Sequence, residues 1–417
     1  MDPNPFNPKK PSRVLSEEQI KIFLNDGVLT VDDVLSEEQI TRAKEGLTRT
    51  IRDCGVDLDI LLEDVDLTTS GDRDVQLLQQ VQAFARLSTT NGSGGVLDLF
   101  YEDWKLDVAT NADLFNMTTQ LWKAAYCHQG ETKEQLQQMG ERMFRGHPYG
   151  PFDYETGYIY IDRVGYRLPT KVSERLGQVL HNPHRDNSGV GVGKKKKKSM
   201  ALQRSLTPHL DCCPERQFRS DAKKWRPIQC MISLTDNLQS NMGGFEAAKG
   251  FHREFDKWAQ ERVLPEDLSV AGRDATHTKT SSLCVGEYTH IRPKEDRYVM
   301  DKVTHVPVKA GSAVFWDNRI PHANSYRHDG KSPRVVVYCS FLPNVPLNQA
   351  YVTQQLQDFL CQRPPTESDQ WRGPQQKDDN NSDHDDMARL GTEIGKNDLN
   401  RYKFSPLGRK LMGMEQW

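Results

Sequence analysis

The sequence predicts a mainly β fold with flanking helices, an α+β architecture, in a chain of 417 residues. Up to about residue 150, apolar side chains recur at helical spacing, whereas residues 155–345 contain short β-rich runs separated by turn residues. Several short strands at such intervals favour a sandwich, jelly roll or barrel over a doubly wound parallel sheet.

Composition argues against several classes of partner and compartment. A formal net charge of −3 gives no overall attraction to nucleic acid or to a membrane surface, so neither is expected as a partner. The eight cysteines form no CxxC pair, which argues against a zinc ribbon or a disulfide scaffold. No signal-like start or run of 18 apolar residues is present, so we expect a cytoplasmic protein. The sequence does not specify an oligomeric state.

The first elements are predicted from a repeated hexapeptide, Leu-Ser-Glu-Glu-Gln-Ile, at residues 15–20 and 35–40. In each copy the serine can cap a helix, and the glutamine three residues later completes a capping box. The residues between the copies, 27–34, predict a short strand after an Asn-Asp-Gly turn. Residues 75–81 and 114–126 have the spacing of amphipathic helices.

The remaining segments define the domain organisation. Predicted strands lie at 158–164, 228–234, 245–248, 303–308, 312–316 and 334–341. We predict a flexible leader over 1–14, one folded domain over 15–350 (helical over about 15–150, β over about 155–345), a polar, disordered connection over 362–400, and a terminal segment over 401–417. Residues 402–407 are expected to dock back on the domain.

A His-x-Asp pair, His209 and Asp211, is the first candidate for a functional site. In a strand, residues two apart project from the same face, so this pair would offer an imidazole and a carboxylate to one point. Three other His-x-carboxylate pairs begin at His184, His252 and His384, but they lie among turn formers, at a predicted helix start and in the polar tail. Only the first pair stands in a β context.

Two later residues extend this candidate. His322 follows an apolar, strand-like run and would supply a second imidazole, which completes the 2-His-1-carboxylate set of non-haem Fe(II) oxygenases. Arg334 begins an apolar strand twelve residues later, and a buried arginine needs an anion or another hydrogen-bonding partner. Taken singly, the histidine could be an ordinary half-buried residue and the arginine part of a structural ion pair.

In their order and spacing these residues resemble the phytanoyl-CoA dioxygenase family of Fe(II)/2-oxoglutarate oxygenases, over roughly residues 15–345. The matching features are a helix–strand–helix opening at 15–47, the pair His209 and Asp211, a strand and Gly-rich hairpin within 232–252, and His322 followed by Arg334. Lys249 stands where the family usually has proline in the hairpin turn, a departure that concerns loop rigidity rather than chemistry.

The resemblance implies a double-stranded β-helix (jelly roll, cupin-like) core. It also implies that His209, Asp211 and His322 bind Fe(II) as the catalytic centre. 2-Oxoglutarate and O2 would occupy the open positions, with release of succinate and CO2.

For the cosubstrate, the resemblance implies that Arg334 contacts the distal carboxylate of 2-oxoglutarate. Asn324 is a weaker candidate for the same contact, and Gln229 could face the cosubstrate from the strand before the hairpin. These three residues form the predicted cosubstrate site.

The predicted activity is hydroxylation of a small organic molecule. Asp211 favours this outcome, because related halogenases carry a small residue at that position. The run Lys194–Lys198 fails the phosphate-loop pattern, but it would attract an anionic or CoA-linked substrate if it lies beside the site. Two alternatives stay open: a catalytically silent β-helix module for binding or sensing, and an oxygenase that acts on a protein or a nucleobase.

Overall fold

The computed structural model describes residues 13–63, 72–127, 152–181, 201–214, 222–262, 284–285, 287–365 and 402–417. Most of the predicted leader, nearly all of the polar connection, and Lys194–Lys198 lie outside these ranges. The prediction of a mixed α+β fold is confirmed, and the described strands pair antiparallel, but more of the described residues lie in helices than in strands. "Mainly β" was therefore wrong, partly because the sequence reading missed the helices over 170–181 and 346–360.

Eleven α-helices lie in the described ranges: α1 (Glu17–Asp26), α2 (Glu37–Asp53), α3 (Leu58–Leu62), α4 (Asp72–Arg86), α5 (Asp103–Ala109), α6 (Ala112–Tyr126), α7 (Thr170–His181), α8 (Phe255–Arg262), α9 (Arg297–Met300), α10 (Pro346–Leu360) and α11 (Pro406–Leu411). Both predicted capping boxes are present. Ser16 and Ser36 accept hydrogen bonds from the backbone N–H groups of Gln19 and Gln39, whose side chains accept from the serine N–H groups.

The described strands are β1 (Val28–Val31), β2 (Val96–Leu97), β3 (Gly157–Ile159), β4 (Val164–Arg167), β5 (His209–Leu210), β6 (Ile228–Ser233), β7 (Phe245–Ala248), β8 (Cys284–Val285), β9 (Tyr288–His290), β10 (Val303–His305), β11 (Ala313–Asp317), β12 (His322–Asn324), β13 (Arg334–Tyr338) and β14 (Phe341–Pro343). The first sheet has the order β1-β11-β6-β13-β4-β2, and the second has the order β10-β7-β12-β5-β9-β8. β3 and β14 form a separate pair.

Two predicted strands are each divided between sheets. The run at 158–164 becomes β3, which pairs with β14, and β4, which enters the first sheet beside β13. Between them, Asp162 and Arg163 form ion pairs with Arg226 and Asp98 and do not continue a ladder. The run at 334–341 likewise becomes β13 and β14.

The first sheet is packed on both faces. Phe315 and Val337 belong to an apolar cluster shared with the N-terminal helices, whereas Val314 and Val336 belong to a cluster shared with Phe245 of the second sheet. Because alternate strand residues point to opposite faces, the helices cover one side and the second sheet covers the other. The two sheets thus form a sandwich. We call the side of the first sheet that faces the second sheet its inner face.

The C-terminal elements pack on the same body. In α10, Gln355 donates to the Ile159 carbonyl and accepts from the Ile161 N–H. The Tyr402 hydroxyl donates to Asp107, and the Trp417 indole donates to the Gly157 carbonyl. None of the helices in the described part of the chain combines the length and apolar character needed to cross a bilayer.

Candidate metal centre

His209, Asp211 and His322 come together at the second sheet. The register of β5 and β12 places His209 opposite His322, and Asp211 follows β5 directly. The Nε2 atom of His209 lies 3.5 Å from Asp211 Oδ1, and the Nε2 atom of His322 lies 3.4 Å from Asp211 Oδ2. One potential ligand atom from each residue lies within 4.8 Å of the other two. The geometry could hold one metal ion.

Both imidazoles are oriented for metal binding. The Nδ1 atom of His209 lies 2.9 Å from the Thr207 carbonyl oxygen, and that of His322 lies 3.0 Å from the Ile320 carbonyl oxygen. A carbonyl can only accept, so Nδ1 carries the proton in each ring and the Nε2 lone pair points to the cluster. The His209 ring also stacks on Tyr288, with ring centroids 4.5 Å apart. These contacts fix the tautomer and the ring plane.

The electrostatics favour neutral imidazole and ionised carboxylate. Burial, together with the neighbouring His322, lowers the pKa of His209 to about 4. Burial alone would raise the pKa of Asp211, but its contact with His322 and the positive charge of Arg226 hold that pKa well below its usual range. With the proton of each ring on Nδ1, the cluster offers two imidazole nitrogens and one carboxylate oxygen, a donor set that Fe(II) accepts.

Arg226 also belongs to the site, although the sequence did not predict it. Its guanidinium lies 3.3 Å from Asp162, 3.9 Å from Asp211, and over the ring of Tyr160 at 4.3 Å. Burial opposes the charge, but the phenol of Tyr160 and the carboxylates around it raise the pKa of Arg226. A lone arginine in the loop before β6 gives no sequence signal, since its partners come from distant segments.

A cavity opens at the cluster, and its wall includes Gln229, Trp316, Asn324 and Tyr338. Gln229 and Trp316 are paired across β6 and β11, and they share the inner face with Val314. The Gln229 Nε2 and Trp316 Nε1 groups are buried and have no hydrogen-bond partner in the described structure. Buried donors of this kind normally have an acceptor. The wall is therefore suited to a polar ligand beside the cluster.

Arg334 does not line the cavity itself. It is held by a hydrogen bond to Asn324, which does line it. Its Nη1 donates to Asn324 Oδ1 at 2.9 Å, and Nη2 points to the Met231 sulfur at 3.4 Å. Asn324 donates in turn to the Gly94 carbonyl at 3.1 Å. Both ends of the Asn324 amide are thus engaged, so its structural position is that of a support for Arg334.

The competing histidines are placed elsewhere. His252 lies in a 3-10 turn, where its Nε2 contacts the Leu24 carbonyl oxygen at 3.1 Å. His184 and His384 lie outside the described residues. Lys249 stands where the phytanoyl-CoA dioxygenase family usually has proline, and its Nζ lies 3.6 Å from Asp26 Oδ2. Within the described ranges, His209, Asp211 and His322 form the only His, Cys, Asp or Glu cluster with metal-ligand spacing.

The fold and the site define a class: an α+β protein whose antiparallel sandwich has a two-histidine, one-carboxylate cluster beside a cavity. The chain is similar to Gig2-like proteins, whose family model matches residues 274–400. The matched segment includes His322 and Arg334. No protein with a curated description matches the sequence.

Solved structures share the fold. The crystal structure of GlcNAc Inducible Gene 2 (DUF1479) from Candida albicans is 14% identical, with a TM-score of 0.58, and the alignment covers 97% of this chain and 77% of that chain. A hypothetical protein from Escherichia coli is 13% identical, with a TM-score of 0.55, over 96% of this chain and 82% of that chain. At such low identity the comparisons establish a shared fold and leave function to be argued from the site.

Proposed function

We propose that this chain is an Fe(II)- and 2-oxoglutarate-dependent dioxygenase with a double-stranded β-helix core, similar to the phytanoyl-CoA dioxygenase family. One observation carries the proposal: the Nε2 atoms of His209 and His322 converge on Asp211 with both Nδ1 atoms committed to backbone carbonyls. Such a set binds one face of the ion and leaves the other positions open.

The residues around the cluster fit a 2-oxo dicarboxylate. Gln229 and Trp316 would donate their unpartnered N–H groups toward oxygen atoms beside the metal. Arg334 would bind the distal carboxylate, since its guanidinium is buried and its Nε has no partner in the described structure. Bound Fe(II) would supply the oxidation chemistry, in which O2 reacts with 2-oxoglutarate and a C–H group of the substrate to give succinate, CO2 and an alcohol.

The proposed reaction is hydroxylation of a small organic molecule. Asp211 supports this outcome, because a carboxylate in the cluster occupies the position that a halide ligand would need. Tyr160, Arg226 and Glu287 also line the cavity, so a substrate would meet an aromatic face and both signs of charge.

Succinate formation tests the proposal. Full-length protein loaded with Fe(II) should convert 2-oxoglutarate to succinate in air, in at least one equivalent per chain. His209→Ala should abolish this conversion, whereas His305→Ala, which removes a histidine of β10 away from the cluster, should preserve it. Equal succinate from the wild-type and His209→Ala proteins would contradict the proposal.

A further inference from the structure

Arg167 is a second buried arginine directly beside Arg334. It ends β4, and the register of the ladder places it opposite Arg334 of β13. Directly opposed residues project from the same face, with Cβ atoms about 5 Å apart. Tyr166 and Val335 belong to the cluster under the helices, whereas Val336 belongs to the cluster between the sheets. Both arginine side chains therefore lie on the inner face of the first sheet.

Neither guanidinium forms an ion pair with a carboxylate in the described part of the chain. Arg167 is 2% exposed and makes one long hydrogen bond, 3.4 Å, to the Tyr326 carbonyl, so its Nε and Nη1 lack partners. Arg334 is 3% exposed, and its Nε also lacks a partner. Buried charges are normally paired, because desolvation costs several kcal/mol per ion. Two adjacent buried guanidiniums without a carboxylate partner thus favour a bound anion.

The surroundings strengthen this requirement. Burial, together with the adjacent Arg334, lowers the pKa of Arg167 to about 10. Burial also lowers the pKa of His328, to about 4, and both arginines add to that effect. The His328 ring is held between the Gly330 N–H and the Ser332 carbonyl. His328 is therefore neutral at neutral pH and adds no charge of its own beside the two arginines.

The arginine pair adjoins the wall of the cavity at the metal cluster, on the side that Asn324 forms. Asn324 and Tyr338 line the cavity, and Asn324 also binds Arg334. Asn324 follows His322 by two residues on β12, which corresponds to about 6.6 Å along a strand. That span is comparable with an extended five-carbon dicarboxylate.

We propose that Arg167 and Arg334 form a two-arginine site for the distal carboxylate of the 2-oxo acid, and that Arg167 is a specificity-determining residue. This inference rests on the proposed function. A carboxylate has two oxygens and can accept from two guanidiniums at once. A monocarboxylic 2-oxo acid such as pyruvate would leave both arginines unpaired, so the site selects dicarboxylates.

Binding measurements on full-length protein loaded with Mn(II) test the inference without turnover. Calorimetric titration with 2-oxoglutarate should show affinity lowered by about tenfold to a hundredfold in Arg167→Met, the effect of losing one or two charge-assisted hydrogen bonds. The weak affinity for pyruvate should stay unchanged. Arg297→Met, at an exposed arginine paired with Asp301, is the matched control and should bind like the wild type.

The outcomes separate this inference from the proposed function. Wild-type affinity for 2-oxoglutarate in Arg167→Met would overturn the two-arginine site while leaving the proposed function standing. Glutarate binding to the metal-free protein that is lost in Arg167→Met, together with no succinate formation by the iron-loaded protein, would support the site and refute the function. If Arg167→Met does not fold, wild-type protein that binds 2-oxoglutarate and its distal monoamide equally would overturn the inference.

Discussion

Asp211 is the residue on which three nitrogen-bearing groups converge. His209, His322 and Arg226 lie 3.5, 3.4 and 3.9 Å from its carboxylate oxygens. The side chain is still 32% exposed, because one side opens on the cavity. A carboxylate held ionised but open to a cavity can exchange a histidine contact for a metal ion at little cost in rearrangement.

Asn324 shows how a residue's role depends on contacts that spacing does not reveal. The sequence suggested that it could contact the cosubstrate, since it stands two residues after His322. In the structure its Oδ1 accepts from Arg334 and its Nδ2 donates to the Gly94 carbonyl. We therefore assign it a positioning role in the proposed site.

Asn324→Ala should weaken 2-oxoglutarate binding about tenfold, the effect of a lost hydrogen bond to a charged group. Arg334 would lose the contact that fixes its guanidinium, whereas the metal ligands would keep theirs. Calorimetry on Mn(II)-loaded protein should therefore show weaker cosubstrate binding with unchanged Mn(II) affinity. Asn344→Ala, at a partly exposed asparagine bonded to Tyr158, serves as the control. Loss of Mn(II) binding in Asn324→Ala would contradict the positioning role.

At the scale of elements, local sequence patterns predicted much of what the structure shows. The capping boxes fixed the starts of α1 and α2, because a cap depends on residues three apart. The apolar, β-branched run that follows Arg334 correctly indicated a strand over residues 334–338. An arginine within an apolar strand indicates a need for an anionic partner, as it did for Arg334. Arg167 was not recognised in this way, because the predicted strand ended at Val164.

The β context expected at His209 is confirmed by β5, but no strand was predicted at β12, because distant contacts decide there. β5 and β12 contain only two and three residues, and they exist as strands because they pair with each other and with their neighbours. The division of 158–164 between two sheets depends on the partners of Asp162 and Arg163. Such contacts leave no periodic signal in the chain.

Gly46 in α2 gives a test of the packing between elements. An added Cβ would lie 2.5 Å from the Cβ of Trp104 in α5, and the Trp104 indole is held by a 3.1 Å hydrogen bond to Thr50. Alanine gains about 1 kcal/mol over glycine in a helix, but overpacking costs about 1–3 kcal/mol. Gly46→Ala should therefore lower the free energy of unfolding, as measured by urea denaturation.

The control for that measurement is Glu45→Ala, at the exposed neighbouring position of the same helix. It should change the free energy of unfolding by less than about 0.5 kcal/mol. A Gly46→Ala protein that is more stable than the wild type would show that α2 and α5 can separate to admit a methyl group.

At the scale of the whole molecule, the site depends on the sandwich. His209 and His322 are 113 residues apart, and the pairing of β5 with β12 brings them together. The first sheet contributes Gln229, Trp316 and Arg334 from strands that face the second sheet. The sequence could identify the candidate ligand residues and their order, but only the packing of two sheets shows which side chains share a cavity.

The most direct measurement of the central claim is an anaerobic optical titration of the full-length protein. Addition of 2-oxoglutarate to protein holding one equivalent of Fe(II) should produce a visible metal-to-ligand charge-transfer absorption that saturates at one cosubstrate per chain. His322→Ala should not produce it, because one nitrogen ligand is lost. Absence of the absorption in the wild type, or equal absorption in His322→Ala, would contradict an iron centre formed by His209, Asp211 and His322.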